Sequence, residues 1–105
     1  MSFRWPNKDP DEILDYSVDW SRWLNNATIT DATWYVNDAA GVKTALPDGS
    51  VVNGIQNVST TTSSTVATIY LGLGTNNTEY KFTCRITTST GSVVERVARL
   101  RIKEQ

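Results

Sequence analysis

Histidine is absent from this chain of 105 residues, and cysteine occurs only once, at Cys84. Without histidine, the chain cannot build a Ser-His-Asp or Cys-His catalytic arrangement, nor a zinc site that uses histidine. A single cysteine leaves no internal disulfide and no tetrahedral set of cysteine ligands. We therefore expect no enzyme, no metal site and no cofactor.

Long apolar runs are also missing, and no segment approaches the roughly 20 apolar residues that a membrane-spanning helix needs. The formal net charge is -1, so no overall field attracts nucleic acid or an anionic membrane. The chain begins without a basic and then apolar leader. These absences predict a protein that folds in a reducing cytoplasm and has neither nucleic acid nor membrane as a partner.

The small net charge hides an uneven distribution along the chain. Residues 1–24 carry five acids against three bases, a net charge of -2. Residues 81–105 carry six bases against two acids, a net charge of +4. The two ends of the chain are therefore complementary in charge, either within one molecule or between two.

The clearest pattern in the chain is the strict alternation of apolar and polar residues from Tyr80 to Thr88. Successive side chains of a strand point to opposite faces, so this stretch predicts a half-buried strand. Its inward residues are Tyr80, Phe82, Cys84 and Ile86. Tyr80 follows a turn-rich connection, which is the position of a tyrosine corner, where the hydroxyl bonds back to the preceding loop.

Similar but weaker patterns predict further strands separated by Gly, Pro and Asn turns. Trp34 is the expected large core residue of an early strand, packed against Phe82 and Cys84. Residues 20–24 have the spacing of one amphipathic helical turn, and the polar tract 60–64 is expected to be an exposed turn or edge. The fold class is therefore an all-β sandwich of about seven strands, immunoglobulin-like or fibronectin-III-like. The seven predicted strands are 13–20, 28–36, 42–46, 50–52, 65–71, 80–88 and 93–103, and residues 56–59 are a candidate for one more.

The first twelve residues lack this alternation and are expected to form an irregular arm in front of a sandwich at 13–105. Asp9, Pro10 and Glu12 have the order of a capping box around one helical turn. The arm holds few candidate core residues, and aromatic side chains dominate interface energies, so Trp5 is a candidate interface residue. We predict that the arm binds a partner through Trp5, Asp9, Asp11 and Glu12.

The last strand presents a second candidate binding surface. Ala98, Leu100 and Ile102 are expected to face inward, which turns Arg99, Arg101 and Lys103 outward. Lys81 and Arg85 on the neighbouring strand are expected to lie beside this row. The row lacks the interleaved aromatic platforms that stack on bases, which argues against nucleic acid. We predict that Arg99, Arg101 and Lys103 contact a partner protein.

The segment from Arg4 to Trp20, together with Thr33-Trp34 and the stretch from Arg85 to Arg96, resembles a family of small tailed-phage and prophage proteins described as fibre-tail adaptors. The most specific part of the resemblance is Lys8 to Glu12 through Asp19-Trp20. The resemblance implies an immunoglobulin-like, non-enzymatic component of the virion tail that joins tail parts and is made in the cytoplasm of the bacterial host. Its expected partners are other tail or virion proteins, with further copies of itself in the particle.

Three other functions remain open at this point. A head-tail joining protein and a capsid-decoration protein are structural components of the same class at other places in the particle. A glycan-binding accessory domain is a different class, in which exposed tryptophans stack on sugars.

Overall fold

The computed structural model describes residues 2–104, with side chains from Arg4 onward, and these residues form a two-layer β-sandwich. The all-β sandwich is confirmed. The described residues contain nine strands, not about seven, because the candidate at 56–59 is a full strand and part of the expected arm is itself a strand. Residues 1 and 105, the ends of the predicted arm and sandwich, lie outside the described residues. The strands are β1 (Ser2–Arg4), β2 (Leu14–Asp19), β3 (Ile29–Asn37), β4 (Lys43–Ala45), β5 (Val51–Val52), β6 (Ile55–Thr62), β7 (Val66–Leu73), β8 (Thr78–Thr88) and β9 (Val93–Ile102).

The two sheets have the strand orders β1-β9-β8-β3-β4 and β2-β7-β6-β5. Every pairing between these strands is antiparallel except that of β1 with β9, which is parallel. Parallel neighbours cannot be connected by a tight hairpin. Here they are β1 and β9, the first and last strands, and all the other strands lie between them in the chain. The immunoglobulin-like arrangement of the strands stays a prediction.

The core lies between the layers and follows the predicted alternation. Tyr80, Phe82, Cys84 and Ile86 of β8 are buried, and so are the predicted inward residues of β9. Trp34 is buried on β3, opposite Cys84 in the ladder with β8. Burial raises the pKa of the Cys84 thiol to about 12, because a thiolate would lose its solvation there.

The helical turn expected at residues 20–24 is α1 (Ser21–Leu24). Trp20 and Leu24 are buried beneath it, whereas Trp23 is 39% exposed. The turn ends at Asn25, which adopts the left-handed conformation with φ of 48°. At four residues, α1 is too short to cross a membrane, and no other helix occurs within residues 2–104.

The polar tract 60–64 was predicted to be an exposed turn or edge, and the structure shows an edge. Most of it belongs to β6, which pairs with β7 as far as Thr62 opposite Ala67. Threonine is β-branched and suits an extended backbone, so a polar tract of this composition can continue a strand. On its other side, β6 pairs with β5 only at Ile55 and Gln56, so residues 60–62 lie at the edge of their sheet.

The predicted tyrosine corner is present at Tyr80. Its buried hydroxyl accepts a hydrogen bond from the backbone N–H of Thr75 at 3.0 Å, in the loop between β7 and β8. The same hydroxyl donates to the carbonyl oxygen of Asn53 at 2.7 Å, in the turn between β5 and β6. One side chain thus links two connections on the same end of the sandwich.

Replacing Tyr80 by phenylalanine is expected to lower the free energy of unfolding by about 1–3 kcal/mol. The change keeps the ring but removes the buried hydroxyl that the Asn53 carbonyl and the Thr75 N–H share. Urea unfolding of the two proteins measures the difference. Tyr35→Phe is a useful comparison, because Tyr35 lies on the outer face of its sheet and is half-buried. Its hydroxyl accepts a hydrogen bond from Arg85. Equal midpoints for Tyr80→Phe and the parent protein would contradict the corner.

Candidate docking surfaces

The arm is part of the sandwich, which corrects the expectation of an irregular segment with little core. The backbone N–H of Trp5 donates to the carbonyl of Arg99 on β9 at 2.9 Å. The Trp5 side chain is only 6% exposed, and its ring centroid lies 4.9 Å from that of Tyr16, 5.6 Å from Phe82 and 5.9 Å from Trp34. Trp5 therefore fills space between the two sheets and does not present an exposed anchor to a partner.

Lys8 is a second buried residue of the arm, and sequence analysis missed it. Its backbone pairs with β9 next to Ile102, and its Nζ donates to the carbonyl oxygens of Leu73 at 2.6 Å and Asp9 at 2.8 Å. Burial lowers the pKa of Lys8, although the negative charges of nearby acids oppose the shift. Lys8 ties the arm to the end of β7.

The acidic residues of the arm form a compact turn directly after Lys8. Glu12 Oε1 accepts from the N–H of Asp9 at 3.0 Å, and the N–H of Glu12 donates to the carbonyl of Asp9 at 3.0 Å. Asp9 Oδ1 also accepts from the N–H of Asp11 at 2.8 Å. The bond from the Asp9 N–H to the Glu12 side chain is the Glu12 half of the predicted capping box, whereas the N–H of Glu12 bonds to the backbone carbonyl of Asp9 and closes a turn. The turn holds three carboxylates beside the end of β9, where the N–H of Lys103 donates to the carbonyl of Lys8.

The outer side of the five-stranded sheet is strongly basic. Arg99 and Arg101 lie on this side of β9, as predicted, and Lys103 follows them. The ladder with β8 places Lys81 opposite Arg99 and Glu79 opposite Arg101. We call this surface the basic face; seven bases against three acids give it a net charge of +4. Its charged residues are Arg4, Lys43, Lys81, Arg85, Arg99, Arg101 and Lys103, with Asp31, Glu79 and Glu95.

The three acids of the basic face do not neutralise it evenly. Glu95 is shared by Arg85, whose Nε donates at 2.6 Å, and by Lys43 at 3.3 Å. The hydrogen bond from Arg85 lowers the pKa of Glu95. Arg85 also donates to the hydroxyl of Tyr35 at 2.9 Å and lies over its ring. This network occupies the end of the face near β4 and leaves Arg99, Arg101 and Lys103 as the basic row at the other end.

The opposite surface of the sandwich has a different character. None of the four strands β2, β5, β6 and β7 contains lysine or arginine, and β2 carries Asp15 and Asp19 on its outer side. Apolar side chains are exposed on the same side, where Tyr70 lies opposite Asp15 and Val58 packs over Gly72. The molecule thus has a basic face and, behind it, an acidic and partly apolar face.

A profile of the podophage GP4 fiber-tail adaptor protein gp77 family matches residues 8–101 of this chain. The chain belongs to this family. The resemblance inferred from the sequence is thereby confirmed, and so is the assignment to bacteriophage tail-fibre adaptors. A search of curated proteins found no significant match. The family implies that the protein interacts with other tail components and belongs to the tail of the virion.

The matched region begins at Lys8, so it contains the acidic turn and most of β9 but not β1 or Trp5. The structure brings Asp9, Asp11 and Glu12 beside the end of the basic row, although the two segments are about 90 residues apart in this family member. Their binding role stays a prediction. No local sequence pattern indicated that Trp5 and Lys8 are buried, because neither residue lies in a stretch of alternating apolar and polar residues.

Proposed function

We propose that this protein is a non-enzymatic adaptor that joins the tail and the fibres of a podophage, and that its basic face contacts the neighbouring protein. The observation that carries the proposal is the net charge of +4 on one face of a member of the fibre-tail adaptor family. The protein is synthesised in the cytoplasm of the bacterial host and then takes its place in the tail.

The arrangement of charge suits a joint between proteins. Exposed ion pairs within one molecule contribute only about 0–1 kcal/mol each, so a basic face adds little to the stability of the monomer. Across an interface, complementary charges accelerate encounter and determine register. The acidic turn lies at the same end of the molecule as Arg101 and Lys103. A partner that binds this end can therefore contact both negative and positive side chains.

The two faces also suit contacts between copies of the protein. A basic face and an acidic face on opposite sides form a heterologous contact, and such contacts close into rings when the rotation between copies permits. A ring of adaptors around a tail would use this contact. The glycan-binding alternative loses support, because Trp5, Trp20 and Trp34 are buried and only Trp23 among the four tryptophans is partly exposed.

The test is a charge reversal of the basic row, Arg99→Glu, Arg101→Glu and Lys103→Glu together. We expect at least a tenfold fall in incorporation into particles, measured by complementing a phage that lacks the gene and quantifying the protein in purified virions. Cooperative unfolding should persist, because these side chains point away from the core.

The matched control reverses a positive charge away from both faces, with Arg22→Glu on α1. If both variants enter particles at the parent level, the basic face is not the docking surface. If the protein is found in the head and not at the tail of the parent particle, the tail-to-fibre assignment itself is wrong.

A further inference from the structure

Arg96 occupies a position of β9 where the alternation of the strand calls for an apolar core residue. It lies opposite Cys84 in the ladder with β8, so its side chain is on the inward side of the five-stranded sheet. The residues that follow on the same side, Ala98, Leu100 and Ile102, are apolar and buried. A charge on the inward side of a strand is destabilising unless it is paired, so Arg96 departs from the pattern of its own strand.

The guanidinium of Arg96 lies against two tryptophan rings at the end of the sandwich. Its central carbon is 4.8 Å from the ring centroid of Trp23 and 5.5 Å from that of Trp20. Trp20 is fully buried and Trp23 is partly exposed, so this stack reaches from the core to the surface. The helical turn α1, which carries Trp23, connects β2 of one sheet to β3 of the other. Arg96 is therefore positioned by the core beside an accessible aromatic ring.

The three guanidinium nitrogens of Arg96 differ in their surroundings. Nη1 donates to the carbonyl oxygen of Glu95 at 2.7 Å, and Nε is buried without a hydrogen-bond partner. Nη2, unlike Nε, is accessible to solvent, and it makes no hydrogen bond to the residues that the structure describes. A ligand from outside can therefore reach the guanidinium at Nη2.

No acid within residues 2–104 forms an ion pair with Arg96. The neighbouring acid, Glu95, lies on the outer side of the sheet, where its carboxylate pairs with Arg85 and Lys43. An arginine keeps its positive charge, and a half-buried charge without a counter-charge opposes folding of the monomer. A carboxylate supplied by another molecule would provide the missing negative charge.

We propose that Arg96 and Trp23 form an anchor site for an acidic side chain, Asp or Glu, on a segment of a neighbouring tail protein. The carboxylate accepts a charge-assisted hydrogen bond from Nη2 of Arg96, and the partner residue packs on the exposed part of the Trp23 ring. Tryptophan and arginine are among the residues most enriched where binding energy is concentrated at protein interfaces. The origin of the segment in a tail protein rests on the proposed function; the site itself is on the inward side of β9, apart from the basic face.

The indole N–H of Trp23 reports on occupancy of the site. In protein labelled with ¹⁵N at tryptophan, four indole signals are expected, and Trp23→Phe identifies the one that matters. The probes are overlapping synthetic 15-residue peptides that cover the tail and fibre proteins of the same phage. We expect an acidic peptide to shift the Trp23 signal while the signal of Trp5, which is buried between the sheets, stays in place.

A double-mutant cycle tests the contact with Arg96. Arg96→Met, and separately the replacement of the acidic residue of the peptide by its amide, should each weaken binding at least tenfold. The Arg96→Met protein should bind the acidic and the amide peptide within twofold of each other, because the interaction is already lost. Arg22→Met is the matched control and should change binding less than threefold, because Arg22 is exposed and adjacent residues of a helix do not face each other.

The stability of Arg96→Met separates a binding role from a structural one. Methionine has a similar length, can still pack on the tryptophan rings and removes the unpaired charge. We therefore expect Arg96→Met to lower the urea midpoint of unfolding by less than Trp23→Ala does. A fall as large as that of Trp23→Ala, or larger, would show that Arg96 serves to hold α1 and would overturn the proposal.

The peptide experiment can also overturn the proposal. It fails if no peptide binds, if peptides bind without moving the Trp23 signal, if basic peptides move this signal as well as acidic ones do, or if the two losses in the cycle add. A shift that depends on the concentration of the protein alone would identify the acidic turn of a second copy as the source of the carboxylate. That result would overturn the assignment to a neighbouring tail protein.

These outcomes are separable from failure of the proposed function. Normal incorporation of Arg96→Met into particles, together with no binding of acidic peptides, would remove the anchor site but leave the adaptor role. Binding of an acidic peptide with the expected cycle, together with unimpaired incorporation of the variant with a reversed basic row, would retain the anchor site and remove docking by the basic face.

Discussion

Replacing Trp5 by alanine is expected to lower the free energy of unfolding by about 3–5 kcal/mol, the usual cost of truncating a buried tryptophan. The ring of Trp5 contacts the aromatic rings of Tyr16, Trp34 and Phe82, which belong to both layers of the sandwich. Its removal leaves a cavity that rigid strands on both sides cannot close. Chemical denaturation of the variant and the parent protein measures the loss.

Trp23→Ala is the matched control, because Trp23 has the same side chain but is 39% exposed. It stacks on Arg96, with the guanidinium carbon 4.8 Å from the ring centroid, and a contact of this kind contributes roughly 0.5–1 kcal/mol at an exposed site. Trp23→Ala should therefore cost much less than Trp5→Ala. Equal losses, or a Trp5→Ala variant as stable as its parent, would show that the arm is not part of the folded core.

The packing of Trp5 between the sheets also changes the effect expected from deleting the arm. An irregular arm could be removed without harm to the sandwich, and the sequence alone predicts that deletion of residues 1–10 leaves cooperative unfolding intact. In the structure, that deletion removes Trp5 from the core and Lys8 from its two carbonyl partners. We therefore expect the truncated chain to lose at least as much stability as Trp5→Ala.

Gly74→Ala is expected to lower the free energy of unfolding by roughly 2–6 kcal/mol. Gly74 has φ of +111°, a conformation that costs other residues of order 1–3 kcal/mol. An added Cβ would also lie 2.8 Å from Cδ1 and 2.9 Å from Cγ1 of Ile102, a fully buried side chain. Overpacking of this kind adds about 1–3 kcal/mol. Thermal or urea unfolding tests the sum.

Gly91→Ala separates the cost of the backbone conformation from the cost of the steric clash. Gly91 has φ of +88° in the hairpin between β8 and β9, but no atom beyond its chain neighbours lies within 4 Å of the position that a Cβ would occupy. It should show the conformational cost without the clash. Similar losses for the two variants would mean that Ile102 moves aside at no cost and that the loop before β8 tolerates side chains.

The loop around Gly74 explains why a large effect is expected from a small change. The carbonyl of Leu73 accepts from Lys8, Gly74 donates to the carbonyl of Gly54 at 2.9 Å, and Thr75 donates to Tyr80. Three consecutive residues thus connect the arm, the turn after β5 and the tyrosine corner. A shift of this loop disturbs all three connections.

Sequence analysis predicted the strands of the core well, because the signal for them is local. Alternation along β8 and β9 identified their buried residues, and the turn residues before Tyr80 identified the corner. The capping-box order of Asp9 and Glu12 likewise predicted the bond from the Asp9 N–H to the Glu12 side chain. For the tract 60–64 the composition left a turn and an edge open, and only the pairing of β6 with β7 decided for the edge.

The candidate surfaces were predicted less completely. The basic row on β9 and its neighbours Lys81 and Arg85 followed from alternation, but Arg4 and Lys43 join them through cross-strand register, which the order of residues does not reveal. The structure also decides where the edge strands β4 and β5 stop pairing. Such endpoints are decided by how far each edge strand can follow its twisted neighbour, not by any motif.

By itself, the sequence determined the class of fold, the inward and outward sides of the main strands and the opposite charge of the two ends of the chain. These properties depend on a residue and its immediate neighbours, so they can be read along the chain. Only the tertiary structure decided that Trp5 and Lys8 are buried and that β1 runs parallel to β9. Their environment is made by Tyr16, Leu73, Phe82 and β9, and the space between these distant elements exists only once the two sheets have packed together.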